Sequence, residues 1–122
     1  MYLFDLNQLA EFKETGLGVQ MVAQSAHARH VLFSFKAGQG LREHQTTSQI
    51  TVQVISGEVT FSAEDSTRSL TAGQMVLLAG NIPHAVEAIT DSVMLLIMTP
   101  DPQAHSLGDE LFEGIRPIAD LS

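Results

Sequence analysis

Two histidines in this chain stand where side chains could do chemistry. His44 closes the stretch "GQGLREH" and His84 closes "GNIPH"; each follows a turn bearing Gly or Pro and stands just ahead of a strand-like segment. An imidazole can ligate a divalent metal, move a proton near neutral pH, or hydrogen-bond an organic ligand. The other three histidines read more plainly. His30 lies opposite a row of phenylalanines and faces outward, whereas His27 and His105 fall in loops. The chain has no cysteine, which excludes a thiolate nucleophile, a disulfide framework and a zinc–thiolate cluster. It has no G-x-S-x-G elbow for a serine hydrolase and no glycine-rich phosphate loop ahead of a helix.

These residues must be positioned by one domain, because 122 residues suffice for a single core and not for two. Six basic against fourteen acidic side chains give a net charge of −8. That balance argues against nucleic acid, which is bound by neutralising phosphates with Lys and Arg, and against an anionic membrane surface. The longest apolar run, Val93 to Met98, is too short to span a bilayer, and Asp5 and Glu11 interrupt any signal-like start. A cytoplasmic location is the default expectation.

Asp5, with Gln8 three residues on, is placed to cap a short helix carrying Leu6, Leu9 and Phe12 on one face. Period-two patterning then takes over. Strands are expected at Val19–Gln24, Ala28–Phe35, Ile50–Val54, Val59–Ala63 and Met75–Ala79, and over the last two apolar segments, "HAVEAI" and "SVMLLIMT". "SG" at Ser56–Gly57 reads as a hairpin, and "EDSTRS" as a polar loop. The strands near Leu77 and Leu95 lack alternation, which predicts cover on both faces, by the interior and by a tail or second subunit. Beyond Pro100 and Pro102, Leu107, Leu111 and Ile115 follow helical spacing in a segment carrying Asp101, Asp109, Glu110, Glu113 and Asp120. Short strands with turns every eight to twelve residues predict an all-β sandwich or barrel.

"GQGLREHQT…ISGEVTF" followed by "AGQMVLLAGNIPHAVEA" resembles the two motifs of the cupin superfamily, in the manner of its small single-domain members. Gly38, His44 and Gly57 match the first motif, and Gly73 and His84 match the second. Ala79, Asn81 and Ala88 replace that second motif's Pro, Gly and Asn. The resemblance implies a jelly-roll barrel (double-stranded β-helix) over about residues 19–99, a C-terminal tail over 100–122, and a homodimer. It also implies a metal site of His, His, Glu and His. Here the second His is Thr46 and the Glu position falls on Ile50, so the motif is degenerate.

The candidate set follows. His44 and His84 are the candidate ligands for a divalent metal, Fe, Mn, Ni or Zn. Thr46 and Gln49 are polar neighbours that could assist, and Phe33, Phe35, Met75 and Met94 are candidate walls of a small-molecule cavity. The reading this supports is a cupin that binds a small molecule, with or without a weakly held metal. The alternative that the resemblance offers is a metal-dependent enzyme such as a dioxygenase or isomerase.

Overall fold

The computed structural model describes residues 1–102. The helix expected around Leu107, His105 and the acidic residues beyond Asp101 lie outside the described residues. The short helix α1 spans Leu6–Leu9, with the Asp5 carboxylate accepting from the Gln8 backbone N–H at 3.2 Å. Nine strands follow: β1 (Gly18–Gln24), β2 (Arg29–Phe35), β3 (Gly40–His44), β4 (Gln49–Ser56), β5 (Glu58–Ala63), β6 (Ser66–Thr71), β7 (Met75–Leu78), β8 (His84–Ala88) and β9 (Ser92–Thr99). They form two antiparallel sheets, a five-stranded one ordered β1-β2-β9-β4-β7 and a four-stranded one ordered β3-β8-β5-β6. This is a jelly roll, as expected.

Alternation decides what lies between the sheets. Val31, Phe33 and Phe35 on β2, Ile50, Val52 and Val54 on β4, and Met94, Leu96 and Met98 on β9 face inward. They meet Val59 and Phe61 on β5 and Val86 and Ala88 on β8 in one apolar core. The rings of Phe33 and Phe35 lie nearly parallel, with centroids 5.6 Å apart.

Two local expectations are corrected. First, Ser56–Gly57 is not a hairpin: β4 pairs with β7 and β9, whereas β5 pairs with β6 and β8. Gly57 is the corner where the chain passes from one sheet to the other. Its φ is +84°, and a Cβ there would stand 2.3 Å from the Asp91 carbonyl oxygen. The corner is tied by the Glu58 N–H, which donates to the hydroxyls of Ser92 at 3.0 Å and Thr90 at 3.1 Å.

Second, "EDSTRS" is not a loop. Ser66–Thr71 is edge strand β6, entered through a two-residue turn in which Glu64 and Asp65 have φ of 52° and 64°. Such turns favour Gly or Asn, so the sequence hid this one. Only Leu70 on β6 is buried, which is why its composition reads as polar. Within one chain the outer face of β7 is open: Met75 and Leu77 point out of the five-stranded sheet and are 60% and 61% exposed, while Leu95 and Ile97 on β9, across β4, are half-buried.

One end of the barrel gathers Arg29, Met98, Ile50 and Leu78 from the larger sheet and His44, His84, Ala63 and Ser66 from the smaller. The Ser48 hydroxyl donates to the Pro100 carbonyl at 2.5 Å at this end. Arg29 shares the inward face of Val31 and is fully buried, with its Nη2 3.2 Å from Asp101 Oδ1. That contact balances charge but lacks hydrogen-bond geometry, and among the described residues none accepts from the three guanidinium nitrogens. Burial pushes the Arg29 pKa below the usual arginine range, with Asp101 opposing the shift. Asp101 Oδ2 accepts from Gln24 Nε2 at 2.7 Å.

Two stability outcomes follow from these features. Gly57→Ala forces a Cβ into a left-handed, crowded corner and should cost about 2 kcal/mol or more in urea denaturation. A midpoint equal to wild type would show that the corner tolerates a side chain. Asp101→Ala strands a buried cation and should cost about 3–5 kcal/mol, whereas Arg29→Met with Asp101→Ala should recover most of it. Equal losses in the single and double variants would mean that the pair is not electrostatically coupled.

Candidate functional site

The site is made by an irregularity in the ladder between β3 and β8. Leu41 pairs with Val86 and His44 with His84, so three steps on β3 match two on β8. The extra residue is a β-bulge. Without it, regular alternation would turn Glu43 inward beside Leu41 and send His44 out. With it, Glu43 is exposed and His44 stands directly across from His84. On β8 the alternation is unbroken, and His84, Val86 and Ala88 share the buried face.

The two rings lie with centroids 4.4 Å apart and planes inclined by 59°. Phe61, on the neighbouring strand β5, stacks on His84 at 5.8 Å and 13°. His84 is almost fully buried and His44 half-buried, so any approach to the pair runs past His44.

Both rings are held in the same way. His44 Nδ1 lies 2.8 Å from the Arg42 carbonyl and His84 Nδ1 lies 2.8 Å from the Ile82 carbonyl. A carbonyl only accepts, so each Nδ1 carries the proton and donates, and each Nε2 presents a bare lone pair. Burial lowers the His44 pKa to about 4, with the neighbouring His84 adding to the shift and the Arg42 carbonyl opposing it. Burial also lowers the His84 pKa, against the pull of the Ile82 carbonyl. Near pH 7 the pair is therefore neutral, and its two free Nε2 atoms can only accept.

The other candidate residues fall elsewhere. Thr46 is buried at the same end, where its hydroxyl accepts from the Ser48 N–H at 3.4 Å and its carbonyl from the Asn81 N–H at 2.7 Å. Gln49 does not swing inward. It opens β4, is exposed, and pairs with Thr99, because Ile50 takes the inward position. Met75 is not a cavity wall either, since it occupies the outer face of β7. Phe33, Phe35 and Met94 are interior but are packed core, at most 1% exposed, and do not border open space.

Ile50, at the position of the family's Glu, offers no donor atom. Among the described residues no group of three or more His, Cys, Asp or Glu could hold a metal ion. The four-ligand metal site is thus not formed; two imidazoles fall short of the three or four protein ligands that resident metals usually have. The carbonyls of Arg42 and Ile82 and the ring of Phe61 complete the site, and pattern reading missed all three. Each carbonyl lies two residues before its histidine, a relation that would be readable only once the bulge is known.

Concavities open on the surface around the barrel. A concavity of about 430 Å³ runs over the outer face of the smaller sheet past Gly40, Arg42, Thr60 and Glu87. Another of about 490 Å³ runs from the β5–β6 turn at Glu64 and Asp65 to Glu43, Ile82 and Pro83, the residues flanking the two histidines. A slot of about 200 Å³ opens between edge strands β6 and β7, floored by Phe61, Ala63, Val76 and Leu78 and rimmed by Arg68. Among the described residues no helix is long and apolar enough to cross a membrane.

Comparison with known proteins agrees with this architecture. A cupin protein described as RmlC-like, from Desulfovibrio desulfuricans, superposes with a TM-score of 0.76 at 27% identity, over 82% of this chain and 97% of that one. A protein from Thermus thermophilus gives 0.77 at 23% identity, over 84% and 100%. A Streptococcus pyogenes protein of unknown function gives 0.73 at 23% identity, over 82% and 88%. No curated protein sequence matches. The family profile described as Cupin domain matches residues 31–100, and the chain belongs to that family.

Proposed function

We propose that this protein binds a small molecule at the histidine-bearing end of the barrel, with His44 and His84 as its polar anchors. The observation that carries the reading is the matched pair of Nδ1–carbonyl hydrogen bonds, which leaves two neighbouring Nε2 lone pairs on rings kept neutral by burial. Lone pairs need a partner that brings a proton or a positive charge. The ligand class is therefore a molecule with a hydroxyl, amine or amide donor, or a loosely held divalent cation. The net charge of −8 supports neither nucleic acid nor an anionic membrane as partner.

The second reading is a metal-dependent enzyme, such as a dioxygenase or isomerase. It has one observation in its favour: metal-bound imidazoles are commonly oriented by a carbonyl on the other ring nitrogen, as both rings are here. Against it stand Thr46 and Ile50, which supply neither the second imidazole nor the carboxylate that iron and manganese sites usually use.

Metal analysis of protein purified without an affinity tag separates the two readings. The first expects no stoichiometric iron or manganese, and nickel or zinc that gel filtration removes. It also expects calorimetric zinc binding to disappear in both His44→Ala and His84→Ala. Near-stoichiometric iron or manganese that His84→Ala abolishes would establish the enzyme reading instead. Zinc binding that survives both substitutions would place the site elsewhere.

Depressed histidine pKa values also make a pH statement. The unfolded His44 side chain takes its proton near 6.5, and the folded one only near 4. Between those values the unfolded state binds more protons, so this contribution to stability is complete above about 6.5 and is lost as pH falls toward 4. His44→Gln should flatten the fall in unfolding free energy across that window. A slope unchanged by the substitution would mean that His44 titrates normally in the fold.

A further inference from the structure

The two sheets are not joined by a ladder where β6 and β7 face each other, since the first ends the smaller sheet and the second the larger. The slot of about 200 Å³ opens at this seam, over Phe61, Ala63, Val76 and Leu78. An apolar cavity of ~150 Å³ accommodates benzene, so the space suits a phenyl ring or a branched aliphatic group. Phe61 also stacks on His84 at 5.8 Å, which makes its ring the wall between the slot and the histidine pair.

Register explains why a cation stands over this apolar floor. Across the ladder between β5 and β6, Val59 pairs with Leu70, Phe61 with Arg68 and Ala63 with Ser66. Residues directly opposite in antiparallel strands share a face, so Ser66 and Arg68 belong to the inward row of Phe61 and Leu70. Leu70 is buried in that row, whereas Ser66 and Arg68 are exposed at the open seam. Inward charges also blunt sheet edges. A guard of that kind needs no apolar cavity beneath it and no opposite charge beside it.

The opposite charge is there. Glu64, in the left-handed turn that leads into β6 (φ 52°), lines the same slot. Among the described residues neither Glu64 nor Arg68 forms an ion pair, and no hydrogen bond engages either side chain or the Ser66 hydroxyl. Two opposite charges thus rim one apolar space without neutralising each other. Four residues of extended chain cover roughly 13 Å, a span that a glutamate, an arginine and a small dipolar group between them can bridge. The complementary ligand has an apolar body with an anionic and a cationic group close together at one end.

We propose that the seam between β6 and β7 binds a free α-amino acid with an aromatic or branched apolar side chain. That side chain enters the slot onto Phe61, the carboxylate takes the Arg68 guanidinium, and the ammonium takes the Glu64 carboxylate beside the Ser66 hydroxyl. The planar fork of an arginine meets a carboxylate with two parallel N–H donors. Either exposed ion pair alone is weak. Selectivity comes from the requirement for both charges at once, since a ligand with one of them leaves the other rim group unmet. This site lies apart from the histidine pair and does not depend on how that pair is used.

Calorimetry of the full chain with L-phenylalanine should show saturable binding, with a dissociation constant between about 10 μM and 1 mM for a ligand of this size. 3-Phenylpropionate lacks the ammonium, phenethylamine lacks the carboxylate, and alanine lacks the ring. Each should bind at least about tenfold more weakly. Arg68→Ala should weaken phenylalanine by about tenfold and leave phenethylamine unchanged, and Glu64→Ala should weaken phenylalanine as much and leave 3-phenylpropionate unchanged. Both variants change exposed side chains and should melt as wild type does. Amide NMR shifts on titration should cluster at Phe61, Ala63, Val76 and Leu78. No saturable binding by about 10 mM would overturn the proposal. So would affinity that both variants retain, a one-charge analogue that matches phenylalanine, or shifts confined to the histidine end.

Discussion

The register between β3 and β8 is the constraint on which the site depends. One inserted residue between Leu41 and His44 reverses which side chains face the interior, and everything chemical about the barrel end follows from that reversal. A strand has a side-chain period of two, so a single extra residue moves the whole downstream set to the other face. The ladder on the far side of His84 is regular, through Ala63 on β5, and fixes one ring. The bulge brings the other ring to it. The backbone itself then holds both imidazoles, through carbonyls two residues upstream, so the pair is positioned by strand geometry and not by a surrounding network of charged side chains.

Burial and the tethers together give the pair its character. Withdrawal from water keeps the rings unprotonated, and the carbonyls fix the tautomer. The same end of the barrel holds the buried Arg29, a donor-rich group whose charge Asp101 meets. Polar groups thus collect at one end, while Phe33, Phe35, Met94 and Leu96 fill the middle without a polar atom among them. A barrel packed in this way confines any ligand to the mouth.

Much of the fold was legible in the sequence because the residues that build it repeat with a simple period. Val31, Phe33 and Phe35, or Ile50, Val52 and Val54, announce a face without help from elsewhere. Glycines at 38, 57 and 73 and the two histidines carried the family resemblance. The unreadable parts share a cause: they depend on pairing that a strand's own residue pattern does not record. β6 carries one buried residue, so its composition looked like a loop until its partner β5 was known. Gln49 stood at the end of an irregular stretch where alternation does not fix a side chain's direction, and the pairing of β4 with β9 turned it outward. The convergence of His44 with His84 could be expected from the resemblance, but Glu43 against His44 as the inward residue could not, because a bulge leaves no mark in a single strand's pattern.

The corner at Gly57 bears on how the chain reaches this structure. Two strands adjacent in sequence, β4 and β5, are separated there into different layers, and although β5 forms a hairpin with β6, β4 must find β7 and β9 farther along the chain. β4 and β5 gain no ladder from each other, so the two sheets are completed only when long loops close. Chains dominated by such distant pairings acquire their fold slowly, on the order of milliseconds to seconds, and spend that interval with unpaired edges open to association. The polar surface of β6 and the cation at position 68, on one of those edges, oppose such wrong encounters while the barrel is still incomplete.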